Sequence, residues 1–289
     1  MPAEQSQSRQ LIAAITRILQ QSSIATLATL VSAASETGAK LLVEESGALT
    51  GSLLDAALDR AVAQYSNIFL HSRAEARTLR VEEFAPEVEA WHGAQVLFER
   101  IEPEPRLVVC GAGHVGAALT RLACLLGYRT TLIDDRADFV TRERFPDERV
   151  ELVAAENWTA SLTRAIGRGR NVSVAVVTRG HNEDEECMRA VVNAQPSYVG
   201  LIGSKRRTNI VLERLRAAGG DEEKLRRVRA PIGLDIGAVS PEEVALAILA
   251  EIVAERRGGT GAPLSIWRRT GEGNREGSSG FRVKSTKSN

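Results

Sequence analysis

The chain has no excess charge of either sign: 37 Lys and Arg residues balance 37 Asp and Glu residues. A molecule without a net field has no global means of recruiting nucleic acid or an acidic membrane, although local patches remain compatible with the balance. Cysteine is scarce. Cys110, Cys124 and Cys187 are an odd set without metal-type spacing, which argues against a secreted disulfide framework. Cys110 and Cys124 read as small core hydrophobes. No apolar run approaches membrane-spanning length, and the opening residues MPAEQSQSRQ lack the apolar stretch of a signal peptide, so a cytoplasmic protein is expected. No internal repeat is visible. What is present is a hydrophobic fraction of 43% over 289 residues, enough for a sizeable core and two domains of ordinary size.

The strongest local signal covers residues 106–135, RLVVCGAGHVGAALTRLACLLGYRTTLIDD. Leu107, Val108 and Val109 form a strand-like run that flows into Gly111, Gly113 and Gly116. Val115, Leu119, Leu122 and Leu126 then recur at helical spacing until Gly127. A second strand over 130–133 ends at Asp134 and Asp135. In such a unit the first glycine permits the tight turn, the second lets a pyrophosphate approach the backbone, and the third lets helix pack on strand. The helix N-terminus adds free N–H groups and partial positive charge. Asp134 stands about 20 residues beyond Gly111, where an acid that accepts ribose hydroxyls is expected. His114 either points toward the ligand position or packs on the neighbouring loop.

From there strand and helix alternate: a strand at 150–153, a helix over 158–166, a strand at 172–177, a helix from about 183 to 193, a strand at 197–202 and a helix from near Lys205 to Gly219-Gly220. Ser240-Pro241-Glu242-Glu243 opens a last helix, through Ala254, as a serine cap, a proline at the first helical position and a glutamate that closes the capping box. Alternation of this kind predicts a parallel sheet covered by helices. The earlier residues read as an amphipathic helix over 5–20, strands at 24–31 and 40–44, a helix around 53–62, and strands around 78–82 and 95–101. Glu102-Pro103-Glu104-Pro105 is the expected joint. The predicted fold class is α/β: a C-terminal Rossmann-like parallel sheet (104–257), a smaller N-terminal α+β domain (1–103), and a flexible basic tail (258–289).

In an open parallel sheet, ligands bind outside the carboxyl ends of the strands. Thr178-Arg179-Gly180-His181 follows one predicted strand and Gly203-Ser204-Lys205-Arg206-Arg207 another, so both are expected beside the glycine turn. Ser204, Lys205 and Arg206 either hold phosphate through charge and backbone N–H groups or form a solvated helix turn. Cations at that position oppose the helix dipole at about 0.3–1 kcal/mol, a cost that something should offset. His181 with Glu183, Asp184, Glu185 and Glu186 has the composition of a metal cluster. Successive helical residues point around the helix, however, so acids favoured by the dipole are the preferred account and no metal is assigned. In the loop 230–238, Gly233 and Asp235 either wall the crevice or make an Asx-type turn. No proton-transfer dyad accompanies these residues, and no catalytic residue is assigned.

The segments VVCGAGHVGAALTRLA, TLIDDRADF, RERFPD, VVTRGHNEDEECMRAV, YVGLIGSKRR and APIGLDIGAVSPEEVALAILAEIVAER together resemble the XdhC/CoxI family, accessory proteins of molybdenum hydroxylases such as xanthine dehydrogenase. The resemblance runs in order from Arg106 to about Arg257 and is weaker before it, at GAKLLV (38–43) and Gly51-Ser52. It implies a chaperone without turnover of its own that binds molybdenum cofactor, as molybdopterin or its dinucleotide form. That chaperone assists cofactor sulfuration with a cysteine desulfurase and passes the cofactor to an apo-hydroxylase. It also implies a homodimer, with the cofactor held between the two domains on Gly111, Gly113, His114, Gly116, Asp134, Asp135, Arg179, Gly180, His181, Gly203, Ser204, Lys205, Arg206, Gly233 and Asp235. Two cysteine stretches that the family usually carries in its N-terminal domain are replaced here, at Ala57 and at His92-Gly93-Ala94. Neither replacement can act as a thiolate. Two further readings of the same crevice stay open. One is an NAD(P)-dependent oxidoreductase in which Asp134 binds the ribose diol and Arg136 shifts the choice toward a 2′-phosphate. The other is a nucleotide-sensing regulator.

Overall fold

The computed structural model of the chain describes residues 2–33, 37–72, 74–167 and 169–265; most of the expected tail, residues 266–289, lies outside the described residues. The first half is an antiparallel five-stranded sheet in the order β3-β2-β1-β5-β4, built from β1 (Ala25–Ser32), β2 (Lys40–Glu44), β3 (Leu49–Ser52), β4 (Ala76–Arg80) and β5 (Gln95–Ile101). Alternation along the strands gives it two apolar faces. Ala28, Leu30, Leu41, Val43 and Phe98 meet Leu58, Val62 and Phe69 of α2 (Ala56–His71), while Ala25 and Leu42 meet Leu11, Ala14 and Ile18 of α1 (Pro2–Gln20). Three local details differ from expectation. Gly47 does not simply end a strand but turns the chain into β3, with its N–H donating to Glu44 O and φ at 85°. The helix expected from Leu53 begins at Ala56, because the Asp55 carboxylate accepts from the N–H groups of Ala57 and Leu58. The strand expected at 78–82 stops at Arg80, where Glu83 accepts the Arg80 N–H and starts the single turn α3 (Val81–Phe84).

The second half is a parallel five-stranded sheet in the order β10-β9-β6-β7-β8. Its strands are β6 (Arg106–Cys110), β7 (Arg129–Asp134), β8 (Val150–Ala154), β9 (Val172–Val176) and β10 (Tyr198–Leu201). Both faces are covered, as the apolar alternation requires. Leu107 and Val109 pack on α4 (His114–Leu125) and α9 (Pro241–Arg257), while Val108, Cys110 and Val174 pack on α5 (Trp158–Ile166), α6 (His181–Ala194) and α7 (Lys205–Ala217). Each such leucine or valine, fully buried, contributes about 1.5–3 kcal/mol. The short α8 (Glu222–Arg226) continues the second layer through Leu225. The capping box expected at Ser240 is formed: Glu243 N–H donates to Ser240 Oγ and Ser240 N–H to Glu243 Oε2. Among the described residues no helix is long and apolar enough to cross a membrane.

The strand order reverses between β6 and β9, so the crevice at that switch point opens at the carboxyl ends of the two strands. Residues 229–232 continue the sheet beside β10, through a parallel bridge from Gly200 to Arg229 and a hydrogen bond from Ile232 N–H to Leu201 O. The halves join at the opposite, amino-terminal edge. There Asn171 Nδ2 donates to Pro103 O, Arg170 pairs with Glu45, Arg256 with Glu102 and Arg257 with Glu75. Cavities of about 660 and 380 Å³ lie at this edge, lined among others by Glu102, Pro103 and either Arg129 or Arg170. The expectation that one chain holds its ligand both on the glycine turn and between its two halves is therefore corrected: those places are at opposite ends of the parallel strands.

Gly116 carries a sharp packing constraint, since a Cβ there would overlap the Gly111 carbonyl oxygen and press on Val109 Cγ1 at 3.3 Å. Replacing Gly116 by alanine forces the backbone apart and should lower the unfolding free energy by about 2–3 kcal/mol, read from urea titrations followed by circular dichroism.

Candidate functional site

The glycine turn is built from backbone contacts. Gly111 has φ at 108°, and a Cβ on it would meet Val177 O at 2.7 Å and Thr178 Cα at 3.0 Å, so the loop after β9 lies directly against the turn. Gly113 is the N-cap of α4, and a Cβ on it would meet nothing within 4 Å. The second glycine therefore faces open space, with the first N–H groups of α4 beyond it. His114, the first residue of α4, is exposed.

Asp134 ends β7 one strand away, with its side chain only 2% exposed. Its Oδ2 accepts from Ala112 N–H (2.7 Å) and Arg136 Nη2 (2.9 Å), and its Oδ1 accepts from Arg136 N–H (2.9 Å) and Arg136 Nε (2.8 Å). Four donors fill the four lone-pair positions of the carboxylate, so none is left for a ribose diol. Burial alone would push this carboxyl up; the Arg136 guanidinium and the two backbone N–H groups overcome it and hold Asp134 down at about 2. The sequence places an acid at the ribose position, and in the structure that acid instead fixes the glycine turn to β7.

The remaining loops converge on the same edge. Arg179 makes a two-pronged pair with Asp135 (3.2 and 2.8 Å) and approaches Glu183 at 3.4 Å. Gly180 caps α6, which therefore starts at His181 rather than at Glu183, and His181 is exposed. The acids that follow are paired: Asp184 with Arg207 and Thr178, and Glu185 with Arg189 and Arg214. Burial pushes the fully buried Asp184 up despite those two partners. Ser204 Oγ accepts from Arg207 N–H as the cap of α7, and Gly203, at φ 146°, lets Arg207 and Thr208 pack close. Lys205 and Arg206 are exposed in the first turn of α7 and have no carboxylate partner among the described residues. Gly233 N–H donates to Glu251 Oε2, which also accepts from Tyr198 Oη, so this glycine is tied to α9. Asp235 is exposed on the loop that leaves the edge after Ile232, and no Asx-type hydrogen bond from it occurs among the described residues.

These residues share an edge but cannot all touch one group. From β7 through β6 and β9 to β10 are three strand spacings, about 14 Å at roughly 4.8 Å each. A phosphate at Gly113 is within reach of the β6, β7 and β9 loops, whereas Lys205 and Arg206 would meet the far part of a longer ligand. The open Gly113 face and the first N–H groups of α4 suit an anionic group such as a phosphate. The crevice offers no thiolate, because all three cysteines are buried, and no cluster of three metal-ligating side chains occurs among the described residues. One residue left unassigned in the sequence is Arg144, which donates to Ala112 O within the turn (3.3 Å). In the sequence it stood out only as part of RERFPD and between Phe139 and Phe145.

The folded pKa of Asp134 lies below its unfolded value, so its stabilisation is complete above the unfolded pKa and is lost as the pH falls through the folded one. Between about pH 4 and pH 2 this step should remove about 2 kcal/mol of stability. Urea unfolding at a series of acid pH values checks it, and Asp134→Asn should lack that step.

Comparison with known proteins gives a family-model match, the XdhC Rossmann domain, over residues 107–252. The chain is 30% identical over 227 residues to the uncharacterized protein YqeB of Escherichia coli K12, covering 77% of this chain and 41% of that one. It is 29% identical over 162 residues to a probable xanthine dehydrogenase subunit of Bacillus subtilis 168, covering 56% and 46%. To the molybdenum cofactor insertion chaperone PaoD of Escherichia coli K12 it is 26% identical over 154 residues, covering 53% and 41%. The chain thus spans less than half the length of the curated relatives it matches. The family match takes in β6 through most of α9, with the glycine turn and every loop of the crevice inside it, and the chain belongs to the XdhC Rossmann-domain family.

Proposed function

We propose that this protein is a molybdenum cofactor-binding accessory protein that assists cofactor sulfuration and insertion into a xanthine dehydrogenase-type hydroxylase. The observation that carries the reading is the open face of Gly113 at the switch point, which leaves the N-terminus of α4 accessible to an anion. Its relatives' names supply the kind of ligand: one is an insertion chaperone for molybdenum cofactor and another a probable xanthine dehydrogenase subunit. The phosphate of molybdopterin, or the pyrophosphate of its dinucleotide form, would lie on the turn formed by Gly111 and Gly113. Arg179 would line its approach, and Lys205 and Arg206 would meet the far part of the ligand.

When bound, the cofactor would bring the redox-active molybdenum; this chain would bind and orient its phosphate end. Cys110, Cys124 and Cys187 are buried, so sulfur for cofactor maturation would come from a cysteine desulfurase partner rather than from a thiol of this chain. A homodimer and a hydroxylase partner belong to the same proposal. The NAD(P) alternative is weaker, because the Asp134 oxygens that a ribose diol would need are already occupied by Ala112 and Arg136.

Gly113→Asp separates site from scaffold. Gly113 has φ −66° and ψ −169°, a conformation open to any residue, and aspartate is a better helix cap than glycine by a few tenths of a kcal/mol. The variant should unfold at the same temperature as the parent or slightly above it. Its retention of molybdopterin on gel filtration should drop about tenfold or more, or about 1.4 kcal/mol, because a carboxylate then stands where the phosphate belongs. In calorimetry the unmodified chain should bind molybdopterin in preference to NAD; tight NAD binding with no molybdopterin retention would overturn the reading.

A further inference from the structure

The segment between β7 and β8 brings two arginines and two aromatic rings up to the glycine turn. Arg136 and Arg144 both lie over the ring of Phe139, with guanidinium carbons 3.5 and 4.8 Å from its centroid, and Arg144 is also 5.5 Å from that of Phe145. Both arginines are tied to the middle of the turn: Arg136 through Asp134 to Ala112 N–H, and Arg144 directly to Ala112 O. Their electrostatic states differ. Asp134 neutralises Arg136 through two parallel hydrogen bonds. Arg144 is half-buried, donates only to the carbonyls of Phe139 (2.7 Å) and Ala112 (3.3 Å), and has no carboxylate partner among the described residues.

A guanidinium carries five N–H groups, so Arg144 has three left after these two bonds. Its guanidinium carbon lies 4.8 and 5.5 Å from two aromatic centroids, one hydrogen bond from the turn whose next residue, Gly113, faces open space. A half-buried guanidinium with no carboxylate partner and N–H groups to spare is suited to taking an anion. Arginine is suited to that anion, since its planar fork matches phosphate oxygens in two-pronged fashion.

We infer that Arg144 is an anion-binding residue of the crevice, supplying the uncompensated charge that holds a phosphate or pyrophosphate group at the glycine turn. Phe139 and Phe145 orient its guanidinium, and Arg136 closes the β7 side. The inference rests on the reading of the turn as the phosphate end of a ligand site, but its test does not need the cofactor.

Inorganic pyrophosphate titrated into the full chain by calorimetry is the probe. The parent protein should bind it with an affinity that falls as salt is raised; Arg144→Gln should weaken binding at least tenfold, and Arg144→Lys by less than Gln. Should Arg144→Gln fail to fold, the guanidinium Nε–H resonance of Arg144 in the parent protein should shift on pyrophosphate addition. Parent protein that does not bind pyrophosphate, an Arg144→Gln variant that binds it as the parent does, or an unmoved Arg144 resonance would each overturn the assignment. Pyrophosphate binding through Arg144 without molybdopterin retention would defeat the cofactor reading and leave Arg144 standing. Equal molybdopterin retention by parent and Arg144→Gln would do the reverse.

Discussion

Three stretches of backbone meet at the glycine turn with no side chains between them, and the crevice exists because of that contact. The Gly111 carbonyl fills the space where a Gly116 side chain would be, and Val177 O fills the space beside Gly111. Helix α4 can therefore lie directly on β6, and the loop after β9 can close against the turn. The first N–H groups of α4 are thereby aimed at the switch point between β6 and β9. Any side chain at Gly111 or Gly116 would separate these layers and move the first N–H groups of α4 away from the switch point.

Hydrogen bonds from both sides keep the turn in place before a ligand arrives. On the β7 side, the N–H of Ala112 goes to Asp134 and its carbonyl oxygen accepts from Arg144, so both polar groups of the middle residue are committed. On the β9 side, buried Asp184 joins Thr178 at the end of the strand to Arg207 in the first turn of α7. Breaking a buried pair by removing one member is costly, about 3–5 kcal/mol for fully buried examples, because a charge is left unpaired. Arg207 retains 25% exposure, which softens that cost, yet the tie still couples the loops after β9 and β10. A site fixed in this way does not have to order its loops on binding, and affinity is not reduced by that entropy.

What the sequence disclosed and what it hid follow from range. The glycine turn, the helix caps and the strand alternation are local, set by residues within about five positions of one another, and Gly111 to Gly116 or Ser240 to Glu243 could be read directly. The role of Asp134 was not legible. Its partner Ala112 is 22 positions away, and its other partner, Arg136, saturates it from a position that also suits phosphate recognition. Arg144 was hidden for the same reason, since 32 residues separate it from the carbonyl it holds. In the N-terminal half the four-residue strand Leu49–Ser52 was missed, and two boundaries moved: a helix start displaced by the Asp55 cap and a strand end set by Glu83 at Arg80. Alternating apolar residues fix which face is buried, but caps and turn carbonyls decide where an element stops.

The two halves meet at the amino edge of the parallel sheet, whereas the glycine turn is at the carboxyl edge, and this separation bears on how a carrier could work. A ligand roofed by its own chain would have to wait for the halves to open. Here the Gly113 face is open, on the side away from the N-terminal half. An anion approaching the exposed Gly113 face, with Lys205 and Arg206 exposed farther along the same edge, would meet an attraction that solvent and salt screen. A deep, dry pocket would bind more tightly and release more slowly, because affinity differences of this kind appear mostly in the dissociation rate. An open crevice on a rigid turn would therefore release a bound anion faster than a deep, dry pocket.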